Sequence, residues 1–210
     1  MNPIQLFYNN PYFENLEETE PFLDYLEREE QKVRKIVKDG RVLDVGCGNG
    51  RSTLILSEIS AEVVGIDFSE RLLEQAKRRC PKARFYLEDA KSTHFDSDSF
   101  DYVVMLWNTF GKLYSARDRV LHEAKRLIKP TGKIFLSVLS DRVIPEYMEM
   151  LKNNELVVEH QDENYIFLRE GLISERFSKQ KLEAILSKVG LIGKAKSLTN
   201  ISLWCEARKI

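Results

Sequence analysis

Three glycines within nine residues, Val42-Leu43-Asp44-Val45-Gly46-Cys47-Gly48-Asn49-Gly50, are the strongest chemical signal in the chain. A short apolar, β-branched run leads into them, and a helix is expected to open near Arg51. Gly46 and Gly48 let backbone approach a ligand with no Cβ in the way. The N-terminus of the following helix offers unpaired N–H groups to polar or anionic atoms. Asp67 stands at the tip of the next strand-like run, 17 residues past Gly50. A carboxylate there can accept hydrogen bonds from both hydroxyls of a ribose. Its competing role is to cap the next helix, for which Ser69 is already placed. A dinucleotide-binding GxGxxG loop would put its third glycine at Arg51, counting from Gly46, so a nicotinamide-dependent oxidoreductase is disfavoured.

The pattern is instead DxGxGxG, with Asp44 at the end of the strand, and it resembles the nucleoside-binding signature of class I S-adenosylmethionine-dependent methyltransferases. The resemblance covers about residues 38–210 through VLDVGCGNG, VVGIDFSERLLEQAK, LEDA, FDYVVMLWNTF and LIKPTGKIFLS, in family order and spacing. It implies S-adenosylmethionine as cofactor and S-adenosylhomocysteine as product. It further implies cofactor contacts from Asp44, Gly46, Cys47, Gly48, Asn49 and Asp67, with Phe68 packed against the adenine. Asp89 and Ala90 would meet the adenine edge through carboxylate and backbone N–H, and Leu106 and Trp107 would line the methionine arm. Bland roles compete at several of these positions: core packing for Phe68 and Trp107, a turn for Asp89.

Methyl transfer from a sulfonium is an in-line displacement from an already activated donor, so the protein mainly positions the reactants and excludes water. No catalytic residue is obligatory and none is assigned. His94 falls in a loop and His122 on an exposed helix face, whereas His160, in an inserted segment, is the candidate base. The fourth strand ends in Asn108-Thr109-Phe110 where an amino-adenine methylase would show (N/D)PP(Y/F). WNTFGKL is similar to a stretch of small-molecule N-methyltransferases, including the glycine and sarcosine group, without carrying over a substrate. Asn108 either faces the acceptor or shapes the turn. The reading is a small-molecule methyltransferase. Its rivals are a protein or RNA methyltransferase and a non-catalytic module that binds S-adenosylmethionine.

These residues need a frame. RVLDV (41–45), EVVGI (62–66), ARFYL (83–87), FDYVVML (100–106) and KIFLSVL (133–139) are short apolar runs, as expected of parallel strands buried on both faces. Helical patterns separate most of them. One follows Ser69, and another follows a Ser115/Asp118 capping box and ends at a Lys129-Pro130-Thr131-Gly132 turn. Upstream, a helix over Glu17–Lys38 carries Phe22, Leu26, Val33 and Val37, with Thr19 as cap. Downstream come a helix over about 143–152, a hairpin of Leu156–Glu159 and Tyr165–Arg169, a helix closed by Gly190, and strands near 191–197 and 202–207. The alternation implies a doubly wound α/β fold. With the resemblance, the expectation is a three-layer Rossmann-like domain over 1–210: a mostly parallel seven-stranded sheet, a C-terminal antiparallel strand and a small inserted β-hairpin. Its parts would be an N-terminal cap and helix (1–40), a cofactor core (41–140), the insertion (141–177) and a final helix with two strands (178–210).

The 32 basic and 33 acidic residues nearly cancel, so no basic excess points to nucleic acid. Cys47, Cys80 and Cys205 form no metal pattern and no complete disulfide set, as in free thiols of a reducing cytoplasm. No apolar stretch approaches the roughly 20 residues of a membrane span, and the N-terminus is unlike a signal peptide. Two segments lie outside the minimal alternation: the N-terminal stretch with Tyr8, Tyr12 and Phe13, and the insertion with His160 and Tyr165. They are expected to close over the sheet edge as a lid and supply the acceptor pocket.

Overall fold

The computed structural model describes residues 22–142, 144–153, 155–169 and 171–210. Tyr8, Tyr12, Phe13, Thr19 and Pro21 lie outside them, and so does the N-terminal half of the expected lid. Helix α1 (Phe22–Ile36) leads into β1 (Arg41–Val45), α2 (Arg51–Ser57), β2 (Glu62–Asp67), α3 (Glu70–Arg79), β3 (Arg84–Leu87) and β4 (Phe100–Met105). Then come α4 (Arg117–Leu127), β5 (Ile128–Leu139), α5 (Ile144–Asn153), β6 (Val158–Gln161), β7 (Tyr165–Leu168) and β8 (Ile173–Glu175). The chain closes with α6 (Lys179–Lys188), β9 (Leu191–Ser197) and β10 (Ser202–Lys209).

Seven strands form one sheet in the order β3-β2-β1-β4-β5-β10-β9, in which β10 alone runs antiparallel to its neighbours. β1 pairs with both β2 and β4, so strand order reverses between β1 and β4. In doubly wound sheets such a switch point opens a crevice at the carboxyl ends of the strands. One face is packed by α4 and α6 through Leu121, Ala124, Leu182 and Leu186. Val33 of α1, Val37 just beyond its end and Leu56 of α2 cover the other.

Several sequence expectations need correction. Ser115 does not cap α4: it sits in a 3-10 turn, and Ala116 precedes the helix with no side-chain cap. Lys129–Gly132 does not end a segment but bulges within β5, whose pairing with β4 jumps from Phe100↔Ile128 to Tyr102↔Lys133. The inserted hairpin is a separate three-stranded sheet, β6-β7-β8, because Ile173–Glu175 adds a short third strand. A three-residue strand carries too little period-2 pattern to be seen in sequence. Its turn is as expected, with Asp162 accepting hydrogen bonds from the Asn164 and Tyr165 N–H groups.

The small sheet is tied down by a buried charge. Glu175 is fully buried, and its carboxylate accepts from Arg117 Nη1 at 2.8 and 2.9 Å and pairs with Lys181 Nζ at 2.9 Å. Ile166, Leu168 and Leu172 face inward against Phe22, Tyr25, Tyr147 and Met150, making a second core beside the sheet edge. No helix among the described residues is long and apolar enough to cross a membrane.

Candidate functional site

The glycine loop turns where backbone chemistry requires it to. Gly46, Gly48 and Gly50 have φ of 69°, 53° and 83°, the left-handed region that strains residues with a Cβ. The two later glycines differ in their surroundings. A Cβ at Gly50 would lie 2.9 Å from the Ala76 Cα, so α2 and α3 pack through it, whereas a Cβ at Gly48 would meet nothing within 4 Å. The space above Gly48 belongs to a cavity of about 500 Å³ at the β1/β4 switch point. That volume is within the range of small-molecule sites.

Asp67 joins the loop to the tip of β2. It is 7% exposed; Oδ2 accepts the Gly48 N–H at 3.0 Å and Oδ1 the Ser69 N–H at 2.8 Å. Burial raises its pKa, and the backbone donors, Phe68 N–H among them, oppose the rise. The carboxylate lines the cavity and has lone-pair capacity beyond these bonds. Ser69 caps α3 by accepting the Leu72 N–H, which separates the two roles as expected. Phe68 is 36% exposed and lines the cavity with Leu87, Asp89 and Ala90. Asp89 is exposed, accepting the Lys91 N–H and pairing with Lys91 Nζ at 3.0 Å.

Asp44 is placed differently from the rest. It is buried and does not line the cavity; Oδ2 accepts the Ser52 and Thr53 hydroxyls, each at 2.7 Å. It thus bolts β1 to α2 behind the loop, and burial pushes its pKa to about 6. Cys47, Gly46 and Asn49 line the cavity, Asn49 accepting from Arg79 Nη1 at 2.8 Å.

The floor lies beyond β4. Trp107 and Asn108 follow one another at φ 50° and 56°, a conformation unusual for a bulky residue. Helix α1 holds this turn. The Trp107 N–H donates to Glu29 Oε1 at 2.7 Å and Ser137 Oγ at 3.1 Å, and the Asn108 N–H to the Tyr25 hydroxyl at 3.2 Å. Ser137 also donates to Glu29, Tyr25 shares a 2.8 Å hydrogen bond with Ser137, and Arg51 Nη2 reaches Glu29 Oε2 at 3.0 Å. Glu29 is 1% exposed, a carboxylate buried with three partners. Burial and the nearby Glu29 charge raise the Tyr25 pKa, keeping that phenol neutral. Asn108 shapes the turn: its Oδ1 accepts the Leu139 N–H and its Nδ2 donates to Ser174 Oγ.

Sequence reading missed α1 as a wall of the site. Its buried stripe is Phe22, Tyr25, Glu29 and Val33, with Leu26 only half-buried. A glutamate at helical spacing within an apolar face was the available signal. His160 and Tyr165 do not line the cavity. His160 is exposed beside Phe167, and Tyr165 reaches Glu175 at 3.3 Å and packs on Tyr114. Period-2 alternation turns Tyr165 and Phe167 away from Ile166 and Leu168, which face the second core. The insertion reaches the cavity through other residues, Tyr147, Met150 and Leu151 of α5 with Leu156 and Leu172.

Residues 42–132 match the family described as "Methyltransferase domain". A demethylmenaquinone methyltransferase of Clavibacter sepedonicus is 37% identical over 109 residues, 50% of this chain and 43% of that protein. One from Staphylococcus aureus is 35% identical over 121 residues, 54% and 48%. The chain thus spans less than half the length of these curated relatives. A Pyrococcus horikoshii protein shares the fold at a TM-score of 0.74 and 20% identity, over 92% of this chain and 94% of that one. So does a Burkholderia thailandensis 1,6-didemethyltoxoflavin-N1-methyltransferase bound to 1,6-didemethyltoxoflavin and S-adenosylhomocysteine, at 0.73 and 15%, over 99% and 87%.

Proposed function

We propose that the chain is a class I S-adenosylmethionine-dependent methyltransferase and that it transfers the sulfonium methyl group to a small, largely apolar acceptor. The observation that carries this reading is one cavity with two unlike ends: a glycine loop with a buried carboxylate at one, an apolar wall at the other. The first end fits a nucleoside. The open space above Gly48 is a cradle that a Cβ would fill, Asp67 offers acceptor capacity for ribose hydroxyls, and Phe68 gives an exposed ring for a base. Asp89 and Ala90, which line the same cavity, are the residues proposed to read the base edge, and Leu106 and Trp107 those proposed to line the aminoacyl arm.

When bound, S-adenosylmethionine supplies a methyl group on a positively charged sulfur, already activated for displacement. The remaining work is positional. The strained Trp107–Asn108 turn, fixed by Glu29, Ser137 and Tyr25, sets the floor. Phe22, Tyr147, Met150 and Leu172 exclude water from the other end. The polar atoms of Tyr25, Tyr147 and Asn108 are engaged within the protein, so positioning and desolvation are the contributions these residues make. The demethylmenaquinone and didemethyltoxoflavin named for the compared proteins support an acceptor of small-molecule size.

Calorimetry tests the premise: S-adenosylhomocysteine should bind with a micromolar Kd, about −8 kcal/mol. NADH binding without S-adenosylhomocysteine binding would overturn the assignment. Incubation with methyl-labelled S-adenosylmethionine and a cell extract should put label in the small-molecule fraction. Label confined to protein or RNA would move the acceptor to those classes.

A further inference from the structure

Leu151 and Leu156, which line the apolar end of the cavity, also line a second concavity of about 370 Å³ along α5 and the start of β6. Its other apolar residues are Met148, Val157 and Val158, all half-buried, with Lys152 and Glu155 exposed at its edge. An apolar floor with a charged rim, sharing two wall residues with the reaction cavity, suits an extended apolar group whose far end reaches water.

Polar recognition is spent further in. Tyr147 bonds Ser174, which also receives the Asn108 amide, and Tyr25 bonds Ser137. A polar acceptor would leave its own hydrogen-bonding groups unmatched against Met150, Leu151 and Leu172, at a desolvation cost. A second copy of the chain is a poor occupant. Five apolar side chains fall far short of the roughly 20–30 residues a side that a stable dimer buries.

We propose that the acceptor carries a hydrocarbon chain, that its reacting end lies in the cavity, and that the chain leaves along the Met148–Leu156–Val158 groove. The inference rests on the methyltransferase reading of the cavity and adds the chemical class of the acceptor.

A series of 4-n-alkylphenols, from methyl to octyl, provides the probe. Each is titrated by calorimetry into the full chain saturated with S-adenosylhomocysteine. Affinity should rise about two- to fourfold per added methylene along the groove. Met148→Glu and Val158→Glu should flatten that rise while leaving affinity for 4-methylphenol and S-adenosylhomocysteine unchanged. Val158→Thr, nearly isosteric, should reduce the slope and guards against a fold defect in the charged variants. A flat series in the wild-type chain, no binding of any member, or an undiminished slope in all three variants overturns the proposal. So does a dimer that dissociates on Val158→Glu alongside a flat series, which would assign the groove to a second copy. Failure of S-adenosylhomocysteine itself to bind would sink the methyltransferase reading. Its binding beside a flat alkyl series sinks only the groove.

Discussion

Two aspartates in the same motif region have opposite duties. Asp67 faces the cavity and also holds the Gly48 N–H, so Asp67→Ala removes a ligand contact and a loop contact together. We expect a loss of about 1.5–3 kcal/mol in S-adenosylhomocysteine affinity, with the fold retained. Calorimetry on the folded variant checks this, and unchanged affinity would mean the ribose is held elsewhere. Asp44 faces away, and its effect belongs to stability. Its pKa rises on folding from the ordinary 3.8 to about 6, so between those values the native state binds more protons than the unfolded chain. Stability from this group is therefore fully present at the acid end and is lost as pH climbs through about 6, by about 3 kcal/mol. Asp44→Asn keeps an oxygen for the Ser52 and Thr53 hydroxyls and should abolish that loss. Urea unfolding at pH 4.5 and 7 should show the variant gaining on the wild type at the higher pH. Equal gaps at the two values would contradict it.

At the scale of elements, the loop's glycines separate binding from packing. Gly48 borders open cavity and Gly50 borders the backbone of α3. Both substitutions to Ala bear a left-handed backbone penalty of about 1–2 kcal/mol. Gly48→Ala should add a tenfold or greater loss of S-adenosylhomocysteine affinity, because its Cβ enters the nucleoside cradle. Gly50→Ala should instead be the more destabilising of the two, because its Cβ meets Ala76 Cα at 2.9 Å. Paired denaturation and binding curves discriminate the two effects. Reversed rankings would show that α2 and α3 yield more easily than their packing implies. The Trp107–Asn108 turn shows the same division: β4 delivers it, but the hydrogen bonds its N–H groups donate to side chains of α1 and β5 impose its conformation.

Across the whole molecule, the acceptor wall depends on how the small sheet and α5 sit against the main sheet. Apolar contacts do part of this, and Glu175 the rest, through Arg117 of α4 and Lys181 of α6. Glu175→Ala would leave two partly buried cations without their carboxylate. We expect a cost of about 3 kcal/mol, near the low end for a buried pair because both cations keep some solvent contact. For a chain of this size that lowers Tm by about 6–12 °C. Differential scanning fluorimetry checks it, and a change below 2 °C would show that the second core alone holds the sheet.

Local chemistry made much of this legible in advance. Buried strands read as continuous apolar runs, glycines mark left-handed turns, and Ser69 and Gly190 respectively start and stop helices through their own atoms. Those rules act over a few residues, so the β1–α2 loop, Asp67 and the final helix and strands were all accessible from sequence. The acceptor side was not, for a physical reason. Phe22, Tyr25 and Glu29 meet Trp107 across some 80 positions of chain, and Ser137 meets Glu29 across 108. No periodicity records such a meeting. Likewise, aromatic content singled out His160 and Tyr165, whereas the pleat of β7 gave the inward face to Ile166 and Leu168. Which side of a strand faces a ligand depends on what the strand packs against, and that is settled only when distant elements share one core.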